Sequence, residues 1–259
     1  MKTTTIAIAI FISFIGQAFA QTKIDTAFEL YILIGQSNMA GRGPLAAEFQ
    51  SQGNPRVFML NRDNQWVPAK HPLHFDKPKA AGVGPGLAFG IDMAETNPNI
   101  KIGLIPCAVG GTPIENWKPG AFDKATNTHP HDDALLRIKE AMKSGVIKGI
   151  IWHQGEANSS EEKAAVYLKQ LKTLIKTLRK EVGNSKLPFI IGELGRFRTQ
   201  FAKFNIQLEK VPAKIRFTAL ATSEGLDHKG DSTHFNSSSA TELGHRFAKK
   251  MIELQRKEK

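Results

Sequence analysis

Apolar, β-branched runs alternate with helical patterns along this chain, and that alternation restricts its fold more than any other feature. The runs are Phe28–Ile34, Val57–Leu60, Lys101–Ala108, Val146–Trp152, Pro188–Glu193 and Ile215–Ala221. The helical patterns cover Pro85–Glu95, Asp133–Ser144, Glu161–Val182, Thr199–Lys210 and Ser238–Gln255. Parallel strands need a long crossover between them, usually a helix. The order therefore predicts an α/β fold: a three-layer α/β/α sandwich with a mainly parallel central sheet. Neither an internal repeat nor a low-complexity linker interrupts it, so one domain is expected over residues 21–259.

The first twenty residues stand apart. Lys2 precedes an apolar stretch from Ile6 to Ile15, and Ala18-Phe19-Ala20 offers small residues at a cleavage site. This is the pattern of a secretory signal peptide, and it predicts a secreted or periplasmic protein with no membrane attachment after cleavage. The single cysteine, Cys107, rules out an intramolecular disulfide and sits in an apolar run that predicts a buried, inert thiol. The net charge of +11 is spread along the chain. Its densest part, Lys163 to Lys180, interleaves with Leu168, Leu171, Leu174, Ile175 and Leu178 at helical spacing, as on the solvated face of an amphipathic helix. No recognition-helix or zinc-finger pattern accompanies it, so no nucleic-acid partner is expected.

Polar and glycine-rich islands occur where strands should hand over to helices. The first is Gly35-Gln36-Ser37-Asn38-Met39-Ala40-Gly41; others are Val109–Pro113, Trp152–Glu156 and Glu193–Arg196. In open α/β sheets the carboxyl ends of the strands share one edge, where ligands bind. Ser37 is thus expected beside Gly110, Gln154 and Arg196. A serine there serves equally well as a helix cap or turn residue, so its chemistry depends on partners. A hydroxyl nucleophile needs a base, and the base needs a group to orient it. His71, His74, His129 and His131 lie in polar loops and are expected at the surface, while His228 and His245 have weak claims. His234 differs, because Asp231 precedes it by three residues. At that spacing the carboxylate can reach Nδ1 and leave Nε2 toward the serine. Gly110-Gly111 can bring backbone amides close to a developing oxyanion, and Gln154 offers a side-chain amide.

Taken in order, these stretches resemble the SGNH-hydrolase superfamily, and within it the sialate O-acetylesterase-like and carbohydrate esterase family 6 group. The matching blocks are Gly35–Gly41, Gly110-Gly111-Thr112 with Trp117 following, Trp152-His153-Gln154-Gly155-Glu156, and Asp231 to Phe235. The resemblance implies a flavodoxin-like sandwich and removal of O-acetyl groups from an acetylated oligo- or polysaccharide. It implies Ser37 as nucleophile, His234 as base and Asp231 as its orienter. It implies oxyanion donors from the Ser37 amide, the Gly110 or Gly111 amide, and Gln154, which stands where most of the wider superfamily has asparagine. Glu156 is expected to support the reacting groups from behind, with pairing to His234 in place of Asp231 as the other option. No metal and no organic cofactor is implied.

Two other functions fit parts of the chain. A metal-dependent deacetylase would use Asp227, His228, Asp231 and His234, or the acid–histidine run His129 to Asp133, but leaves Ser37 and Gln154 idle. A non-catalytic sugar-binding protein would use Trp66 and Trp117 as walls, with Trp152 in the core. Substrate choice is expected to reside in loops 61–84 and 112–132, and Arg196, Arg198 or Lys118 would meet a substrate carboxylate. The sequence specifies neither the sugar nor an oligomeric state.

Overall fold

The computed structural model describes residues 24–257, so the expected leader lies outside the described residues. Seven strands form one sheet: β1 (Phe28–Gly35), β2 (Val57–Leu60), β3 (Trp66–Pro68), β4 (Lys101–Pro106), β5 (Val146–His153), β6 (Phe189–Gly192) and β7 (Thr218–Ala221). Their order is β3-β2-β4-β1-β5-β6-β7. All neighbours are parallel except β3, which returns antiparallel on β2 and pairs Trp66 with Leu60. This short edge strand lies in a stretch with no strand pattern. Three residues ending in a proline carry almost no periodic signal, and proline is tolerated at an edge.

The helices are α1 (Ser37–Ala40), α2 (Ala47–Gln50), α3 (Gly86–Glu95), α4 (Pro130–Ala141), α5 (Glu161–Val182), α6 (Thr199–Leu208), α7 (Val211–Lys214) and α8 (Ser237–Arg256). None of the described helices is long and apolar enough to cross a membrane. The pleat of β1 divides the core in two. Leu30, Ile32 and Ile34 face a layer built by α4, α5 and α6 through Ile138, Leu171, Ile175 and Phe204. Tyr31 and Leu33 face the opposite layer, built by α3 and α8 through Leu87, Phe89, Leu243 and Phe247. Each such aliphatic side chain contributes roughly 1.5–3 kcal/mol on burial. β1 is covered on both faces, hence its continuous apolar run.

Helix α5 shows how local sequence ends an element. Glu161 and Glu162 occupy its first turn, and Arg179 and Lys180 its last, each complementing the helix dipole. Gly183 then takes a left-handed φ of 77°, and its N–H returns to the Lys180 carbonyl at 3.1 Å.

Loop 61–84 departs from expectation. It folds inward, and His71 and His74 are buried rather than at the surface. Burial pushes both imidazoles down to about 4, with the charge of Asp76 partly opposing the shift at His74. His131 is buried as well, its Nδ1 2.8 Å from Asp132, while His129 is exposed as expected. His131 lies in the first turn of α4 and not in a loop, and local polarity does not reveal the burial of any of the three. Trp117 is likewise core and not a sugar wall. Its ring meets Trp152 edge-on at 5.3 Å, and its Nε1–H donates to Thr112. Trp66 packs on Phe28 at 4.8 Å. Cys107 is buried, which pushes its thiol up to about 11 and keeps it protonated.

Candidate active site

The site begins where β1 ends between β4 and β5. Gly35 pairs with His153, the Gln36 N–H donates to the His153 carbonyl at 2.9 Å, and the Val109 N–H donates to the Gly35 carbonyl at 3.0 Å. The Ser37, glycine and Trp-His-Gln blocks thus meet at one level of the sheet. Gly35 makes that possible. Its φ is +133°, and a Cβ there would lie 2.1 Å from the His153 carbonyl oxygen. The chain then turns into the single turn of α1, which begins at Ser37.

Ser37 Oγ lies 3.0 Å from His234 Nε2, and His234 Nδ1 lies 2.7 Å from Asp231 Oδ2. A carboxylate can only accept there, so Nδ1 carries the proton and Nε2 keeps the lone pair that a base requires. Asp231 is further fixed by the amides of Thr233 at 3.0 Å and His234 at 2.8 Å, both on Oδ1. Partial burial alone would raise the Asp231 carboxyl. The His234 amide and ring, then the Thr233 amide, outweigh that and hold it well below the usual carboxylate range.

His234 stands on a tight turn closed by the bridge between His228 and Phe235. His228 Nδ1 accepts from the amides of Gly230 and Ser232, at 2.9 and 3.2 Å. The imidazole that the metal-site reading would use for coordination therefore builds the turn. Among the described residues, no three His, Cys, Asp or Glu side chains gather in a metal-binding arrangement.

Asn38, which no sequence argument singled out, joins the two halves. Its Oδ1 accepts from the Phe235 amide at 3.1 Å, and its Nδ2 donates to the Thr233 carbonyl at 3.0 Å. The residue after the serine thus grips the backbone on both sides of His234. The same Nδ2 donates to Glu156 Oε1 at 2.5 Å. Glu156 is accordingly not the partner of His234. Its carboxylate lies behind Asn38 and 3.7 Å from Nδ1 of the buried His153.

The predicted oxyanion donors are placed unequally. Ser37 is the first residue of α1, so its N–H has no acceptor within the helix. The Gly110 N–H is committed to Asp76 Oδ2 at 2.8 Å. That same oxygen pairs with Arg42 at 2.7 Å, with both charged side chains almost wholly buried. Gly111 follows at φ +91°, and among the described residues its N–H meets no acceptor. The fully buried Gln154 donates from Nε2 to Asn158 Oδ1 at 2.6 Å, Gln36 Oε1 at 3.1 Å and the Thr112 carbonyl at 3.3 Å. Asp76 and Arg42 escaped the sequence argument because they lie in a loop and past the serine block, with no spacing that links them. Of the basic residues expected near a substrate, Arg196 pairs with Glu193 at 3.1 Å.

A hydroxyl, an oriented imidazole and nearby amides can carry out acyl transfer. Comparison with known proteins agrees in kind. Residues 27–253 match the SASA family, described as carbohydrate esterase, sialic acid-specific acetylesterase. A protein of Arabidopsis thaliana named as a "probable carbohydrate esterase" is 31% identical over 239 residues, 83% of this chain and 87% of the relative. Its crystal structure superposes with a TM-score of 0.78 at 29% identity, covering 87% and 98% of the two chains. The sialate O-acetylesterase of Homo sapiens is 28% identical over 109 residues, 33% of this chain and 21% of its own length. The fold is also that of NanS, with a TM-score of 0.70, 16% identity and coverage of 91% and 99%. A carbohydrate acetylesterase from Xanthomonas citri has a TM-score of 0.68 at 19% identity, covering 88% of this chain and 57% of that one. With the family match spanning nearly all of the described chain, and the relative and its structure in agreement, this protein belongs to the SASA family of carbohydrate esterases, within the sialate O-acetylesterase-like group of SGNH hydrolases.

Proposed function

We propose that the protein is an exported serine esterase that releases acetate from O-acetylated oligo- or polysaccharides through an acetyl-enzyme on Ser37. The observation that carries this reading is the Ser37–His234–Asp231 chain, with contacts of 3.0 and 2.7 Å. Ser37 Oγ attacks the acetyl carbonyl while its proton passes to His234 Nε2. The tetrahedral oxyanion accepts hydrogen bonds from the Ser37 and Gly111 amides, Gly110 being held by Asp76. Gln154 supplies a third donor by releasing its longer contacts to Gln36 and the Thr112 carbonyl while keeping the short one to Asn158. Such donors act on charge that develops only in the transition state. His234 next protonates the departing sugar oxygen as the acyl C–O bond breaks. It then takes a proton from water, which attacks the acetyl-enzyme, and acetate departs as that proton returns to Ser37. Asp231 stays ionised and stabilises the imidazolium at both steps.

The test is acetate release from a panel of acetylated glycans and from 4-nitrophenyl acetate, comparing wild type with Ser37→Ala. The variant is expected to lose turnover by roughly 10⁴-fold or more with its fold intact. Full activity in it overturns the mechanism. Export is tested by the amino terminus of the mature protein, expected at Gln21 in the periplasm or medium.

A further inference from the structure

We infer that Arg198 is a positioning residue for the Asp231–His234 pair rather than a contact for an acidic sugar. The inference rests on the proposed roles of that pair. Arg198 stands at the start of α6, a helix anchored in the core by Phe201 and Phe204, and its guanidinium lies 5.4 Å from the Phe201 ring centre. From there it reaches out to three consecutive residues of the catalytic turn. Nε donates to the Ser232 carbonyl at 2.9 Å, and Nη2 donates to Thr233 Oγ1 at 2.7 Å, with the Asp231 carbonyl at 3.5 Å.

That turn needs holding. Gly230 and Ser232 take φ values of +115° and +52°, and for serine the left-handed region is disfavoured by its Cβ. Such a conformation persists only where the surroundings over-determine it. Asn38 grips the turn from inside at Thr233 and Phe235. Arg198 grips it from outside at 231–233, and it alone of the two reaches Asp231 and Ser232. Without that outer hold the Asp231 backbone is free to shift, and His234 loses the fixed carboxylate that sets its tautomer. Lys229, 3.8 Å from Asp231, is a flexible point charge and cannot replace a fork that spans two acceptors.

Steady-state kinetics of Arg198→Ala and Arg198→Lys on 4-nitrophenyl acetate separate positioning from sugar recognition, because this substrate has no carboxylate to meet. Arg198→Ala is expected to lower kcat roughly tenfold to a hundredfold with KM nearly unchanged, the scale on which a misplaced catalytic group costs rate. Arg198→Lys keeps the charge and should recover only part of it. In that variant the acid limb of kcat/KM should move to lower pH as the carboxylate loosens from the imidazole. Thermal melts should stay near wild type. Full kcat in Arg198→Ala, or a defect confined to KM on acetylated acidic glycans, overturns the inference. Ser37→Ala measured alongside keeps the two claims apart. Turnover in Ser37→Ala removes the mechanism itself, whereas an inactive Ser37→Ala beside a fully active Arg198→Ala removes only the role of Arg198.

Discussion

The two halves of this site are held by different physics. Ser37 follows a strand buried on both faces, and the bonds that aim it are backbone bonds to β4 and β5. His234 and Asp231 sit on a partly exposed turn fixed by side chains: Asn38 and Glu156 behind it, His228 within it and Arg198 outside. Register is cooperative with the whole sheet, whereas side-chain bonds can be lost one at a time. Damage to the backbone that aims the serine should therefore appear as lost stability, and damage to the side chains that hold the histidine half as lost rate in a folded protein.

A pair of glycines with similar φ breaks this comparison most directly. Gly35→Ala forces a Cβ to within 2.1 Å of the His153 carbonyl, so backbone in the sheet centre must move. It is expected to cost more than about 4 kcal/mol, the range reserved for severe lesions, and to leave little folded protein. Gly230→Ala meets nothing within 4 Å at φ +115°, and should cost only about 1–2 kcal/mol through backbone strain. Thermal or denaturant unfolding of both variants checks this. Equal losses would mean that the turn is as tightly embedded as the strand.

Asp231→Asn probes the other half. It preserves shape but lets the amide donate to Nδ1, which favours the wrong tautomer. A loss of roughly 10²–10⁴-fold in kcat is expected in a protein that still folds. The pH dependence carries the same message. Because the folded-state Asp231 carboxyl lies below its ordinary value, its ionised contacts stabilise the fold above the usual carboxylate pKa of about 3.9. That contribution is lost only as pH falls through the depressed value. Between about pH 7 and 5, well above that value, any loss of activity should accordingly be reversible and leave near-UV circular dichroism unchanged. Loss of the dichroism signal over the same interval would refute the separation.

This division also explains what was legible in the sequence. Strand ends are local, and β1, β2 and β4 to β7 all fall on runs visible as apolar patterns, with α5 matching its pattern from Glu161 to Val182. Islands following those ends therefore converge as a parallel sheet requires. Asp231 and His234 were visible because three residues separate them. Asn38 to the Phe235 amide and Arg42 to the Asp76 carboxylate are contacts across 197 and 34 residues, and no periodicity encodes such partners. His71 and His74 failed for a related reason. Polar composition suggests exposure, but an inward-folded loop decides burial by tertiary packing.

The smallest effect is expected where neither kind of support is at stake. Loop 112–132 was expected to shape substrate choice, and its tryptophan turned inward, leaving Phe122 exposed, 44% accessible and 5.0 Å from the His129 ring. The loop beneath it is stiff. Asp123 accepts from Asn116 and Thr126, and Asp132 accepts from the Gly120 amide. A rigid, exposed aromatic offers a sugar ring a stacking face at little entropic cost. Phe122→Ala should raise KM on acetylated oligosaccharides by about threefold to tenfold, the equivalent of one stacking contact of roughly 0.5–1.5 kcal/mol. It should leave both kcat and 4-nitrophenyl acetate hydrolysis unchanged. If the aryl ester suffers equally, the ring supports the fold of the loop, and substrate choice must be sought in loop 61–84.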